Sequence, residues 1–178
     1  MKLYNNEIYQ HDIESVANFE ELNKLTGSKF LITGATGMIA SVIIDILMYY
    51  NNTIIESSKG IHIIAVSRNE AKARERFAAY WDSVFFTYLS QDISQSLPEL
   101  GDVDYILHAA SNTHPRVYAT DPIGTITANV TGTYELLSYA AEHHCRRFLC
   151  FSSVEIYGEN RKDVDKFKES YLGYIDCN

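Results

Sequence analysis

The segment Thr33-Gly34-Ala35-Thr36-Gly37-Met38-Ile39-Ala40 decides the fold, because it joins a predicted strand directly to a predicted helix. The apolar run 29–33 (KFLIT) is typical of a buried strand, and the apolar residues of 38–50 recur at helical spacing. Gly34 permits a tight turn, and Gly37, which has no Cβ, lets a pyrophosphate approach the backbone. The free N–H groups at the start of the following helix favour phosphate. The segment therefore predicts a dinucleotide site, which in this stretch comprises Gly34, Thr36, Gly37, Met38 and Ile39.

Strand and helix patterns alternate along the chain, which predicts βαβ units and a parallel sheet. The predicted strands are 29–33, 61–66, 84–89, 105–110 and 147–151. The predicted helices are 38–50, 70–81 and 122–143, with a polar loop at 51–60. The sequence thus predicts an α/β fold, a Rossmann-type doubly wound parallel sheet that is truncated after about the fifth strand. We expect a helical extension at 1–28, the nucleotide-binding domain at 29–158, and an irregular tail at 159–178 that leads into a missing C-terminal part.

Composition and charge exclude several classes of protein. The 178 residues carry a net charge of −8 without a basic run, so no nucleic-acid partner is expected. Apolar stretches are too short to span a membrane, and the polar start lacks the features of a secretory signal. The three cysteines (Cys145, Cys150 and Cys177) lack metal-ligand spacing. We therefore expect a cytoplasmic protein with reduced thiols and no metal site.

The end of the second predicted strand bears on the choice between NAD and NADP. An acidic residue there would bind the ribose 2′-hydroxyl, but this sequence has Ser67-Arg68-Asn69. Arg68 can pair with a 2′-phosphate, and Ser67 does not repel it. The expected cofactor is therefore NADP, with NAD as the alternative if Arg68 is a solvated surface residue. The gap from the glycine turn to this strand is longer than the roughly 20 residues expected, because of the loop at 51–60.

Four motifs follow one another along the chain: TGATGMIA (33–40), the pair Asp92-Ile93, HAAS (108–111) and SSVEIYG (152–158). Together they resemble the extended short-chain dehydrogenase/reductase family, in its nucleotide-sugar epimerase, dehydratase and decarboxylase branch. The segment from Pro122 to Thr133 also resembles the family's PI…N..GT helix. The resemblance covers roughly residues 29–158 and is specific for the family rather than for a substrate.

The resemblance implies roles for individual residues. Asp92 and Ile93 would flank the adenine ring, and Ala109 and Ala110 would line the cofactor channel, with Asn129 also at the cofactor. Ser153 would bond the C4 oxygen of the sugar, and Glu155 would take part in proton transfer. In each case a structural role is the alternative, and the same holds for His108 at the end of a strand.

The resemblance also implies a mechanism that this chain does not fully encode. In the family, hydride leaves sugar C4 for the nicotinamide, and the 4-keto intermediate then permits elimination, epimerisation or decarboxylation before hydride returns. The base is a Tyr followed four residues later by Lys, and none of the 13 tyrosines has that partner. We therefore expect a cofactor-binding portion that is inactive alone. By the family's topology the outer partner of the strand at 147–151 would come from the missing part, so its unpaired edge should make the chain self-associate, for example as a homodimer. A non-catalytic NADP-binding module and an NADP-dependent reductase of the same superfamily are the alternatives.

Overall fold

The computed structural model describes residues 3–53, 59–112, 115–159 and 161–174. Five strands form one sheet: β1 (Lys29–Thr33), β2 (His62–Ser67), β3 (Phe86–Ser90), β4 (Tyr105–His108) and β5 (Arg147–Cys150). The strand order is β3-β2-β1-β4-β5, and every neighbouring pair is parallel. The order reverses between β1 and β4, as it does in doubly wound dinucleotide-binding folds. The predicted fold class is confirmed.

Helices cover both faces of the sheet. They are α1 (Glu7–Ala17), α2 (Met38–Thr53), α3 (Glu70–Arg76), α4 (Pro115–Thr120), α5 (Pro122–Ile126) and α6 (Gly132–Glu142). A π-helical turn, Thr127–Thr131, joins α5 to α6, and short 3₁₀ turns occupy Leu3–Asn5, Glu20–Leu25 and Val154–Tyr157.

The central strands are buried on both faces, as expected for a parallel sheet under two helical layers. Along β1, Phe30 and Ile32 pack into the core beneath α2, whereas Leu31 points to the opposite core with Leu136 of α6. Ile32, Leu31 and Leu136 are fully buried. Burial of side chains of this size contributes about 1.5–3 kcal/mol each, so these two cores account for the stability of the sheet.

The strand boundaries differ from the predicted ones by at most two residues, but three predictions for helices and loops were wrong, beginning with the loop at 51–60. Helix α2 runs to Thr53, into that loop. The amide of Asn51 donates to the carbonyl of Ile61 at 2.8 Å and accepts from the N–H of Ile61 at 2.7 Å. Both backbone groups of Ile61, just before β2, are thereby satisfied by a helical side chain. Asn51 is therefore a helix residue that contacts the start of β2, and not a loop residue. Residues 54–58 of the predicted loop lie outside the described part of the chain.

The other two corrections concern helices that end or change early. Helix α3 stops at Arg76 instead of Trp81, because successive turns place Phe77 and Tyr80 against Phe86 in the core. The predicted helix at 122–143 is not continuous, since the π-helical turn interrupts it. Its predicted start is confirmed, with Pro122 in the first turn after the capping side chain of Asp121.

A buried carboxylate joins the N-terminal helix to the domain. Asp45 of α2 is fully buried and accepts hydrogen bonds from the hydroxyls of Tyr9 on α1 and Tyr80 after α3. Arg76 binds both oxygens of this carboxylate and also donates to the Tyr9 hydroxyl at 3.1 Å. A buried charge is tolerated when it is paired and hydrogen-bonded, so all three partners stabilise the Asp45 carboxylate. We name these four residues the Asp45 cluster.

The opposite edge of the sheet is exposed. Among the described residues, β5 pairs with β4 alone. Leu149 of β5 is 55% exposed. After Gly158, the described residues form one isolated bridge, between Gly158 and Tyr174, and no helix or strand. No helix in the described ranges is both long enough and apolar enough to cross a membrane.

Candidate functional site

A cleft of about 290 Å³ opens at the carboxyl ends of β1, β2 and β4. Ligands of open parallel sheets bind at this edge, where the strand order reverses. Nine of the residues predicted to bind the cofactor line the cleft: Gly34, Thr36, Gly37, Ser67, Arg68, Asp92, Ile93, Ala109 and Ala110. The structure therefore brings together residues that are up to 76 positions apart in the sequence.

The glycine turn forms the floor of the cleft. Gly34 has a φ of +66°, and a Cβ at this position would lie 2.5 Å from the carbonyl oxygen of Ala109. Any side chain there would be strained and would push β1 away from the loop after β4. At Gly37 a Cβ would lie 3.0 Å from the Gly34 carbonyl oxygen, and this glycine is exposed to the cleft.

Helix α2 begins directly after the glycine turn and presents its free N–H groups there. The Gly37 carbonyl accepts from Ser41, so the helical bonds start at this residue. The N–H groups of the first turn, which include those of Met38 and Ile39, have no intrahelical partner. The side chains of Met38 and Ile39 are 83% and 50% exposed and do not line the cleft. What these two positions offer a phosphate is therefore their backbone.

The end of the cleft at β2 is positively charged. Arg68 follows β2, and Lys72 lies in the first turn of α3; both line the cleft and are exposed. The hydroxyl of Ser67 contacts the Tyr88 hydroxyl at 3.2 Å, and Tyr88 donates to the Ser67 carbonyl at 2.7 Å. Ser67 is therefore held against β3, and the two cations are the groups available to an anion.

Asp92 lies across from Arg68 at the same end of the cleft. Its carboxylate accepts from the N–H and the hydroxyl of Ser94, at 3.0 and 2.8 Å. These hydrogen bonds, followed by the charge of Arg68, hold the pKa of Asp92 below its usual value. Asp92 is thus a carboxylate at neutral pH, suited to accept from a ribose hydroxyl or an adenine amine.

The remaining wall comes from the loop after β4 and from the π-helical turn. Ala109 and Ala110 lie beside Gly34, and Ala128 of the turn completes the lining. Helix α6 comes close to Ile93 in the lining, because a Cβ on Gly132 would lie 2.8 Å from Cδ1 of Ile93. Asn129 lies in the same turn but is exposed and does not line the cleft.

Ser153 and Glu155 lie beyond β5, outside the cleft. Ser153 precedes the 3₁₀ turn Val154–Tyr157, and its hydroxyl oxygen accepts from the Glu155 N–H at 3.2 Å. Both side chains are exposed. The structure therefore places them at the carboxyl edge of the sheet but brings neither into contact with the cofactor residues.

Six lining residues were not predicted from the sequence: Val66, Lys72, Gln91, Ser111, Asn112 and Ala128. Lys72 stands four positions after Arg68, Ser111 is the last residue of the HAAS motif and Asn112 follows it, so motif spacing could have indicated these three. Ala128 enters the cleft through the π-helical turn, for which the sequence carries no signal.

The described residues fit a dinucleotide. The cleft combines a close backbone approach at Gly37, free N–H groups at the start of α2, and cations at the end of β2. Within the described ranges no group of three His, Cys, Asp or Glu side chains could hold a metal ion.

Comparisons with known proteins identify relatives among nucleotide-sugar enzymes. UDP-glucuronic acid decarboxylase 2 of Arabidopsis thaliana is 29% identical over 136 residues, which are 76% of this chain and 28% of that protein. An inverting UDP-N-acetylglucosamine 4,6-dehydratase of Campylobacter jejuni is 26% identical, over 79% of this chain and 42% of its own length. The chain thus spans well under half the length of these relatives.

Solved structures share the fold. The UDP-N-acetylglucosamine 4-epimerase of Methanobrevibacter ruminantium, in complex with UDP-N-acetylmuramic acid, superposes with a TM-score of 0.68 at 20% identity, over 84% of this chain and 44% of that one. A dTDP-glucose 4,6-dehydratase of Streptomyces venezuelae, solved with NAD bound, gives 0.66 at 24% identity, over 83% and 45%. The profile of the NAD dependent epimerase/dehydratase family matches residues 30–176, nearly the whole domain around the cleft, and the chain therefore belongs to that family.

Proposed function

We propose that this chain is the cofactor-binding portion of a nucleotide-sugar epimerase, dehydratase or decarboxylase that acts through a 4-keto sugar. The observation that carries the proposal is the cleft itself, which gathers nine predicted cofactor residues around the glycine turn. A bound nicotinamide would supply reversible hydride transfer. The chain's own residues bind and orient it: the turn at Gly34–Gly37 holds the pyrophosphate, and Ala109 and Ala110 leave room for the nicotinamide half.

The proposed adenosine subsite lies between β2 and the loop after β3. Asp92 is ionised and accepts hydrogen bonds, while Ile93 is 7% exposed and offers an apolar contact to a base. Arg68 and Lys72 flank the position of the ribose 2′-oxygen. Since no carboxylate ends β2, the cations support NADP; the family description and the NAD-bound dehydratase support NAD. We propose NADP as the preferred cofactor and NAD as the alternative.

Calorimetric titration with both dinucleotides tests the cofactor. An arginine–phosphate contact contributes about 1.5–3 kcal/mol, so NADP should bind about tenfold or more tightly, and Arg68→Ala should remove that preference. Arg74→Ala is the matched control, because Arg74 lies on α3 but pairs with Glu70 outside the cleft. Equal affinities of the parent for NAD and NADP would refute the NADP preference, and no binding of either would refute the proposed function.

Ser153 and Glu155 are proposed as the residues that face the sugar, through the resemblance of SSVEIYG to the family motif. Val154 stands where dehydratases of the family carry an acid, so decarboxylation or epimerisation is proposed over dehydration. The decarboxylase relatives support the same order. We propose a nucleotide sugar as the substrate, a cytoplasmic location and self-association of the chain.

A non-catalytic NADP-binding module is the second candidate. The observation in its favour is that no tyrosine of the chain has a lysine four positions later. A binding module and an enzyme portion both bind dinucleotide, but only the second should regain turnover when a polypeptide that carries the Tyr-x-x-x-Lys pair is added. A coupled assay with UDP- and dTDP-sugars distinguishes them.

A further inference from the structure

His108 is the one ring in a series of hydrogen bonds next to the cleft, which is buried at its Thr33 end and exposed at its Asn129 end. It ends β4, and its register partner on β1 is Thr33, the residue before the glycine turn. Side chains in register on neighbouring strands share a face of the sheet. Nδ1 of His108 lies 2.8 Å from the Thr33 hydroxyl, and His108 and Thr33 are 4% and 0% exposed. The ring therefore contacts the strand that leads into the glycine turn, in surroundings closed to water.

The other ring nitrogen reaches the helix beyond the π-helical turn. Nε2 lies 3.2 Å from the Thr133 hydroxyl, and that hydroxyl donates to the carbonyl of Asn129 at 2.6 Å. A threonine hydroxyl has one proton. Because that proton goes to the carbonyl, the Thr133 oxygen accepts from Nε2–H. Nδ1 is then the acceptor for the Thr33 hydroxyl, and a single neutral tautomer satisfies every group.

The π-helical turn at the end of this series of hydrogen bonds forms part of the wall of the cleft. Such turns are rare and often occur at functional sites. Here Gly132 donates to Thr127, five residues back, and Ala128 within the turn lines the cleft. Thr133 holds the Asn129 carbonyl, so the contact from His108 fixes the turn from its C-terminal side. Loss of that contact would let the turn repack as regular α-helix, which would rotate Ala128 relative to the glycine turn.

We propose that His108 is a positioning residue, whose neutral Nε2–H ring connects the end of β1 to the π-helical turn and thereby sets the position of Ala128 across the cleft. The inference rests on the proposed dinucleotide site and assigns a role that the cofactor motifs leave open. His108 touches no ligand in this scheme. It acts through Thr33 on one side of the cleft and through Thr133 and Asn129 on the other.

Substitution at Thr133 tests the connection. Thr133→Val keeps the shape of the side chain but removes the hydroxyl, and should weaken dinucleotide binding about fivefold, the factor that corresponds to one net hydrogen bond. Thr133→Ser keeps the hydroxyl and should bind as the parent does. Tyr139→Phe is the matched control for stability, because it removes two hydrogen bonds of α6, to Leu100 and Gly101, none of which lines the cleft. It should lower the urea midpoint without changing dinucleotide affinity.

Two affinity results would overturn the proposal. One is parental affinity in Thr133→Val, and the other is an equal loss of affinity in Tyr139→Phe, which would make the effect one of general stability. The tautomer gives a readout that needs no cofactor. Long-range ¹H–¹⁵N spectra of histidine-labelled protein at pH 7, assigned with His108→Phe, should show a proton on Nε2 and none on Nδ1. A proton on Nδ1 refutes the hydrogen-bond chain even if dinucleotide binds. Absence of dinucleotide binding by the parent, with the Nε2–H tautomer observed, would refute only the proposed function.

Discussion

Replacement of Arg76 by leucine should destabilise the protein far more than any other arginine substitution on α3. The guanidinium binds both carboxylate oxygens of Asp45, and the two side chains are 16% and 0% exposed. Removal of one partner of a buried ion pair leaves an uncompensated charge, which costs about 3–5 kcal/mol. Partial exposure of Arg76 lets water approach, so we expect the lower end, about 3 kcal/mol.

The size of this effect makes it measurable in two ways. At about 2–4 °C per kcal/mol for a chain of this length, the melting temperature should fall by about 6–12 °C. Urea unfolding followed by far-UV circular dichroism gives the free energy directly. Arg74→Leu is the control on the same helix, because the Arg74–Glu70 pair is 60% and 53% exposed. It should cost about 1 kcal/mol or less.

A second substitution separates the buried charge from packing. Asp45→Asn removes the charge, and its amide can still bond the hydroxyls of Tyr9 and Tyr80. Arg76→Leu combined with Asp45→Asn should therefore be more stable than Arg76→Leu alone. An Arg76→Leu cost below about 1 kcal/mol, or a double variant no better than the single one, would show that the charge of Asp45 is not held by Arg76.

Further predictions concern the turn, the titration of His108 and the sheet edge. Gly37→Val should abolish dinucleotide binding, because its side chain would occupy the space that the pyrophosphate needs. The domain should still fold, since the added Cβ would meet only the Gly34 carbonyl, at 3.0 Å. Near-parental affinity by calorimetry would contradict this prediction. Burial lowers the pKa of His108, so the unfolded chain takes up the proton first, and stability should be complete above about pH 6.5 and decline below it. In urea titrations of His108→Phe, the free energy of unfolding should fall less steeply below about pH 6.5 than in the parent. The same dependence on pH in both proteins would contradict this prediction. The chain should bind dinucleotide but give no 4-keto product with UDP- or dTDP-sugars, because the Tyr-x-x-x-Lys pair is absent; measurable turnover would place the base elsewhere. Light scattering should show association that rises with concentration, driven by the β5 edge, and Leu149→Lys should reduce it. Unchanged association in Leu149→Lys would show that this edge is not the contact.

The parts of the fold that follow from local pattern were predictable. KFLIT ends at a glycine turn, so β1 was placed to the residue, and the helix after it was found because its apolar spacing repeats over three turns. Boundaries were missed where tertiary contacts override the pattern. Asn51 looks like a loop residue, yet it ends up in a helix because Ile61 supplies two backbone partners. The aromatic residues after Arg76 continue a helical pattern, but packing on Phe86 bends them away.

At the site, too, some residues were predictable from local pattern and others depend on tertiary contacts. Gly34 was identifiable because only glycine fits a φ of +66° beside Ala109, and Arg68 because strand ends meet at one edge of a parallel sheet. The hydrogen-bond chain through His108 was not identifiable, since its partners are 75 and 25 positions away and meet only through strand register and a π-helical turn. The motifs indicate which residues line the cleft, whereas the hydrogen-bond partners of His108, itself the first residue of HAAS, are determined by packing. The contacts of His108 therefore become visible only in the folded chain, and Thr133, which contacts Nε2 of His108, is the first residue to substitute.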